Sequence, residues 1–107
     1  MRRAAKVDSN QPEIVAALRG VGCTVQHLHT IGKGCPDILV GKNGANILME
    51  IKDGSLPPSA RGLTDDEIKW HQVWRGQVCT VNSVEEALGV VGCGFRFETT
   101  KPKEERE

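Results

Sequence analysis

Asp37 and Glu50 have the residue type and the spacing to hold a divalent cation, with Lys52 set to join them. They lie in residues 36–52, PDILVGKNGANILMEIK, where two apolar runs at 38–40 and 47–49 flank Asn43 and Gly44. Asn-Gly between apolar runs signals a hairpin, because both turn residues must reach positive φ. With those two residues as the loop, Lys42 faces Ala45, Val40 faces Ile47 and Asp37 faces Glu50. The two carboxylates then share one sheet face, with Cβ atoms about 5 Å apart. Lys52, two residues past Glu50, points the same way. Carboxylates that close repel unless a proton or a cation lies between them. A β-bulge would move this pairing by one residue.

The flanking chain supplies the elements that must hold these groups. The hairpin is apolar on both faces, with Leu39 and Leu48 on one and Ile38, Val40, Met49 and Ile51 on the other. Such a sheet needs cover on both sides, usually by helices. Residues 9–20, SNQPEIVAALRG, read as the first helix, with Ser9 or Asn10 as cap and Pro12 in the first turn. Ile14, Ala17, Leu18 and Val21 form its core stripe. Glu13 sits in the first turn, where an acid suits the helix dipole or can offer the hairpin site a third oxygen ligand. Residues 23–29, CTVQHLH, alternate as a strand with Val25, His27 and His29 on one face. The glycine-rich loop at 30–35 carries Lys33, placed to reach a phosphate or to remain solvated.

Downstream, the Pro- and Gly-rich loop at 53–63 contains Arg61. Thr64 and Glu67 make a capping box for a helix with Ile68, Trp70, Val73 and Trp74 on its apolar side and Lys69, His71, Gln72 and Arg75 on its polar side. The tryptophans are expected to anchor the core, as the largest hydrophobes available. Residues 77–81 read as a strand, and Ser83 caps a final helix with Gly89 near its end. The charged, apolar-poor tail at 99–107 is expected to be disordered.

With 107 residues the chain suffices for one domain. Its charge balances overall, but residues 1–63 carry eight basic and five acidic side chains and residues 64–107 six and nine. A mildly basic first part around an acidic site suits a phosphate-rich substrate. Residues 1–20 lack the apolar stretch of a signal peptide, and no run reaches the roughly 18 apolar residues of a membrane span. Cys23, Cys35, Cys79 and Cys93 show no C-x-x-C pairing and read as reduced, mostly buried thiols of a cytoplasmic protein.

The order helix, three strands, helix, strand, small helix, with Pro36-Asp37 before one strand and Glu50-x-Lys52 closing the next, resembles the PD-(D/E)XK nuclease superfamily. More narrowly it resembles the VRR-NUC family, in the stand-alone form carried by phages and bacteria. Glu13, the run Gly34-Cys35-Pro36-Asp37, MEIK at 49–52, Leu63-Thr64 before a helix with Trp70 and His71, and NSVEEAL at 82–88 carry the likeness over residues 9–90. The resemblance implies a single restriction-endonuclease-like α/β domain over residues 1–98, with an αβββαβ core and a mixed sheet flanked by helices. It implies a magnesium- or manganese-dependent endonuclease acting on branched DNA such as a four-way (Holliday) junction. Asp37, Glu50, the Ile51 backbone carbonyl and Glu13 would hold the metal, since oxygen ligands suit those ions. Lys52 would complete the catalytic group. Lys33, Arg61, Lys69 and Gln72 are the DNA-contacting candidates. The family often has Gln where this chain has Glu67. The likeness also implies a homodimer, for which residues 90–97 with Phe95 and Phe97 are the candidate surface. No membrane contact and no small-molecule cofactor are expected.

Two other classes compete with the nuclease. One is a non-catalytic nucleic-acid-binding module of the same fold, whose signature is a broken acid pair or a missing lysine; neither is broken here. The other is a zinc protein using Cys23, His27, His29 and Cys35, in a spacing that matches no standard zinc module.

Overall fold

A computed structural model describes residues 8–93, with Cys93 described in its backbone only. Arg2, Arg3, Lys6, Phe95, Phe97 and the tail at 99–107 lie outside the described residues, as do both ends of the proposed domain.

The first helix, α1 (Gln11–Gly20), buries Ile14 and Leu18 of the expected stripe together with Val15, whereas Ala17 is only half-buried and Val21, past the helix end, is exposed. Three strands follow, β1 (Thr24–His27), β2 (Ile38–Lys42) and β3 (Ala45–Ile51), then a 3-10 turn at Pro58–Ala60, α2 (Asp65–Val73), β4 (Val78–Val81) and α3 (Val84–Cys93). The sheet order is β1-β2-β3-β4. The first three strands are antiparallel neighbours, whereas β4 runs parallel to β3. The crossover through α2 makes that parallel pairing possible. The expected element order and mixed sheet with three flanking helices are therefore observed.

The hairpin register is the one the Asn-Gly turn demands. Ile38 pairs with Met49, Val40 with Ile47 and Lys42 with Ala45. Asn43 and Gly44 hold φ of 53° and 82°, the positive values that a tight two-residue hairpin loop requires. Consequently Ile38, Val40, Ile47, Met49 and Ile51 share one face and close a core with α1, Val81 of β4, and Ala87 and Val91 of α3. Met49 lies at the centre with no solvent exposure. Met49→Ala is expected to cost about 2–5 kcal/mol, read as a lower urea midpoint with an unchanged slope.

The helix ends show how side chains knit the layers. Asn10 occupies the N-cap of α1 without capping it. Its Nδ2 donates instead to the carbonyls of Lys52 at 3.0 Å and Asn82 at 3.3 Å, tying α1 to the ends of β3 and β4. The Thr64–Glu67 capping box forms as read. Ser83 Oγ accepts from Glu86 N–H at 3.1 Å, and Glu86 returns to Asn82 N–H at 2.7 Å.

Three expectations are corrected. Trp70 and Trp74 do not anchor the core; they stack on each other at 4.6 Å, and Trp74 is 44% exposed. The core forms on the opposite sheet face under α1 and α3, and α2 buries no residue. The first strand is shorter than 23–29, ending at His27, although Leu28 N–H still donates to the Asp37 carbonyl at 2.8 Å. The last helix runs through Gly89 to Cys93. Within it Val91 is buried and Val90 packs against the core, so the described part of the candidate dimer surface serves its own subunit.

Candidate active site

Pro36 is buried and delivers Asp37 to the start of β2, one residue before the first hairpin pair. Asp37 Oδ2 accepts from the Ile51 N–H at 2.7 Å, which fixes its carboxyl beside the next residue back, Glu50. Glu50 is 2% exposed, and its Oε1 has no hydrogen-bond partner among the described residues. Lys52 Nζ stands 4.0 Å from Glu50 Oε2 and donates to Glu67 Oε1 at 2.8 Å. The Lys52 backbone N–H bonds the Val81 carbonyl at 2.9 Å, so β4 holds the end of β3 in place. These four side chains wall a cavity of about 320 Å³, which Asp8, His29, Lys33 and Cys35 also line.

The loop that closes this cavity is set by backbone geometry. Gly32, Lys33 and Gly34 all have positive φ, and a Cβ on Gly34 would sit 2.6 Å from the Asp66 carbonyl carbon. The loop can therefore lie on the first turn of α2 only with glycine there. Gly34→Ala is expected to lower stability by about 1–3 kcal/mol, with amide exchange rising in the first turn of α2 more than in the sheet.

The electrostatics follow from crowding three acids. Burial pushes the Glu50 carboxyl up to about 10, and the charges of Asp37 and Glu67 and hydrogen bonding to them push in the same direction. Burial also raises Asp37, against the pull of the Ile51 amide. Lys52 is opposed by burial, yet its bond to Glu67 and the charges of Glu67, Glu50 and Asp8 raise it. Glu67 is penalised by burial too, but Lys52 and the Thr64 amide hold it below the usual carboxylate range. Burial first, then Glu50 and Asp37, raises the Cys35 thiol, which keeps it an inert thiol.

A buried carboxylate oxygen without a partner, beside a second carboxyl, is a place a hard divalent cation fits. Asp37 and Glu50 would supply the acidic ligands of such an ion. Among the described residues no group of three or more His, Cys, Asp or Glu is arranged to hold a metal ion.

Of the residues singled out from the sequence, Asp37, Glu50 and Lys52 come together, Ile51 joins them through its amide, and Lys33 stands at the rim. Glu13 is not brought to this cavity. It is exposed on α1 and lines a separate hollow of about 680 Å³ with Arg61, Asp53 and Asn82. Lys69 and Gln72 are exposed on α2. Cys23 lies in the core and Cys35 on the cavity wall. Asp8, His29 and Glu67 were not read as parts of the site. Asp8 precedes the first helix and carries no spacing signal, and the alternation that includes His29 points only to a strand face and a zinc set, because β1 stops at His27.

The chain matches no family model, no curated protein and no solved structure. No helix among the described residues is long and apolar enough to cross a membrane.

Proposed function

We propose that this is a metal-dependent phosphodiester hydrolase acting on DNA, and within that class a structure-specific endonuclease for branched DNA. The buried Asp37–Glu50 pair, closed by Lys52 and left with an unpartnered Glu50 oxygen, carries the reading. Asp37 and Glu50 hold a magnesium or manganese ion, with the Ile51 carbonyl as a further oxygen. When bound, that ion supplies an activated water and charge stabilisation at phosphate. Lys52 stays cationic beside Glu67 and Glu50 and so serves as a fixed positive charge for the developing phosphorane rather than as a base. Lys33, on the rim, positions a neighbouring phosphate. A homodimer placing two such cavities across a junction belongs to the same proposal, with light scattering as its check.

The test is cleavage of labelled DNA with magnesium, manganese or EDTA, on a four-way junction, a flap, a splayed arm and a linear duplex. Metal-dependent cutting of the junction supports the full reading. Cutting of flaps or arms alone keeps the chemistry and replaces the substrate. A folded protein that binds junctions and cuts nothing overturns the enzyme in favour of a binding module, and copurified zinc with loss of function on thiol alkylation points to the Cys/His protein.

A further inference from the structure

We infer that Glu67 is a positioning residue that fixes the Lys52 ammonium over the carboxylate pair; this rests on the nuclease reading of the same cavity. One oxygen of Glu67 accepts from two donors, Lys52 Nζ at 2.8 Å and Thr64 N–H at 2.9 Å. The second donor belongs to the α2 capping box, completed by Glu67 N–H to Thr64 Oγ1 at 3.2 Å. A capping box is met by Gln as readily as by Glu. The cap therefore does not call for a charge, and a third carboxylate beside Asp37 and Glu50 works against both of them. What the charge gains is Lys52.

Lysine is a flexible four-carbon stem with a point charge at its end, so its position must come from its partners. Glu50 Oε2, at 4.0 Å, is too far to hydrogen-bond it, and Glu67 is its close partner. Glu67 itself is anchored by the cap, on the turn of helix against which Gly34 packs. Glu67 thus ties the lysine to the first turn of α2, on which Gly34 also packs. Displacing a reacting group by about 1 Å costs of order 100-fold in rate, which sets the scale of the expected effect.

The experiment compares Glu67→Ala, Glu67→Gln and Thr64→Ala in single-turnover cleavage at saturating DNA, with DNA affinity measured separately. Glu67→Ala is expected to slow cleavage at least about 10-fold while DNA affinity stays unchanged. Glu67→Gln, which keeps an uncharged acceptor for both donors, recovers part of that loss. Thr64→Ala loses one capping bond but not the lysine's partner, and is expected to lose less activity than Glu67→Ala. Equal losses in Thr64→Ala and Glu67→Ala, or a Glu67→Ala protein that cleaves normally, overturn the inference. A thermal double-mutant cycle of Lys52→Ala and Glu67→Ala reads the tie without DNA. It is expected to be non-additive by about 3 °C or more, and strict additivity overturns the inference. A wild type that cuts nothing removes the catalytic role along with the nuclease reading, whereas a cutting wild type with additive variants removes the inference alone.

Discussion

Lys52→Ala is expected to lower metal-dependent cleavage by about 10²- to 10³-fold, the usual cost of removing one fixed donor to a charged transition state. The fold should survive, because the backbone N–H of Lys52 bonds Val81 and its side chain packs no core residue. DNA affinity should change little, since Lys33 and the wider surface remain. Loss of the ammonium leaves Glu67 with the Thr64 amide as its donor and brings three carboxyls together without a cation. Cation affinity should therefore rise, visible as a lower magnesium concentration for half-maximal stabilisation. A variant with native circular dichroism that cuts at the wild-type rate would remove Lys52 from the catalytic group.

Glu50→Gln is expected to have the second large effect, of opposite sign for stability and activity. The folded protein without metal holds the Glu50 proton up to about pH 10, against an ordinary value near 4.5. The unfolded chain releases that proton near the ordinary value, so the stability tied to it is complete below about pH 4.5. It is then lost progressively as pH rises through about 10. Gln mimics the protonated acid and does not titrate. The variant without metal should be more stable than the wild type at pH 8, by at least about 4 °C in Tm, the shift that ~1 kcal/mol gives a domain of this size. It should also lose the pH dependence tied to Glu50, the stabilisation by added magnesium, and cleavage. A thermal scan of both proteins from pH 5 to pH 9, with and without magnesium, reads all three. A wild type whose Tm shows no response to magnesium at any of these pH values would remove the metal from the site.

Local rules sufficed for the hairpin. Asn43 and Gly44 dictated the turn, period-two alternation then forced Asp37 opposite Glu50, and Lys52 followed on the same face. The capping box of α2 and the Ile14–Leu18 part of the α1 core stripe were legible for the same reason: each depends on residues within one or two helical turns. Everything that depended on which elements pack together was decided by the tertiary structure. Glu13 in the first turn of α1 and Asp8 just before it lie only five residues apart, yet Glu13 lines another hollow and Asp8 lines the cavity. The tryptophans have core-type side chains but ride on a helix whose sheet face is not the one that α1 and α3 cover. The tie of Glu67 to Lys52 was not legible, because the lysine is fifteen residues away and arrives only when β3 is pinned to β4. Spacing along the chain determines what a strand or a helix presents on each face; which faces then meet is settled by how the whole apolar surface is buried at once.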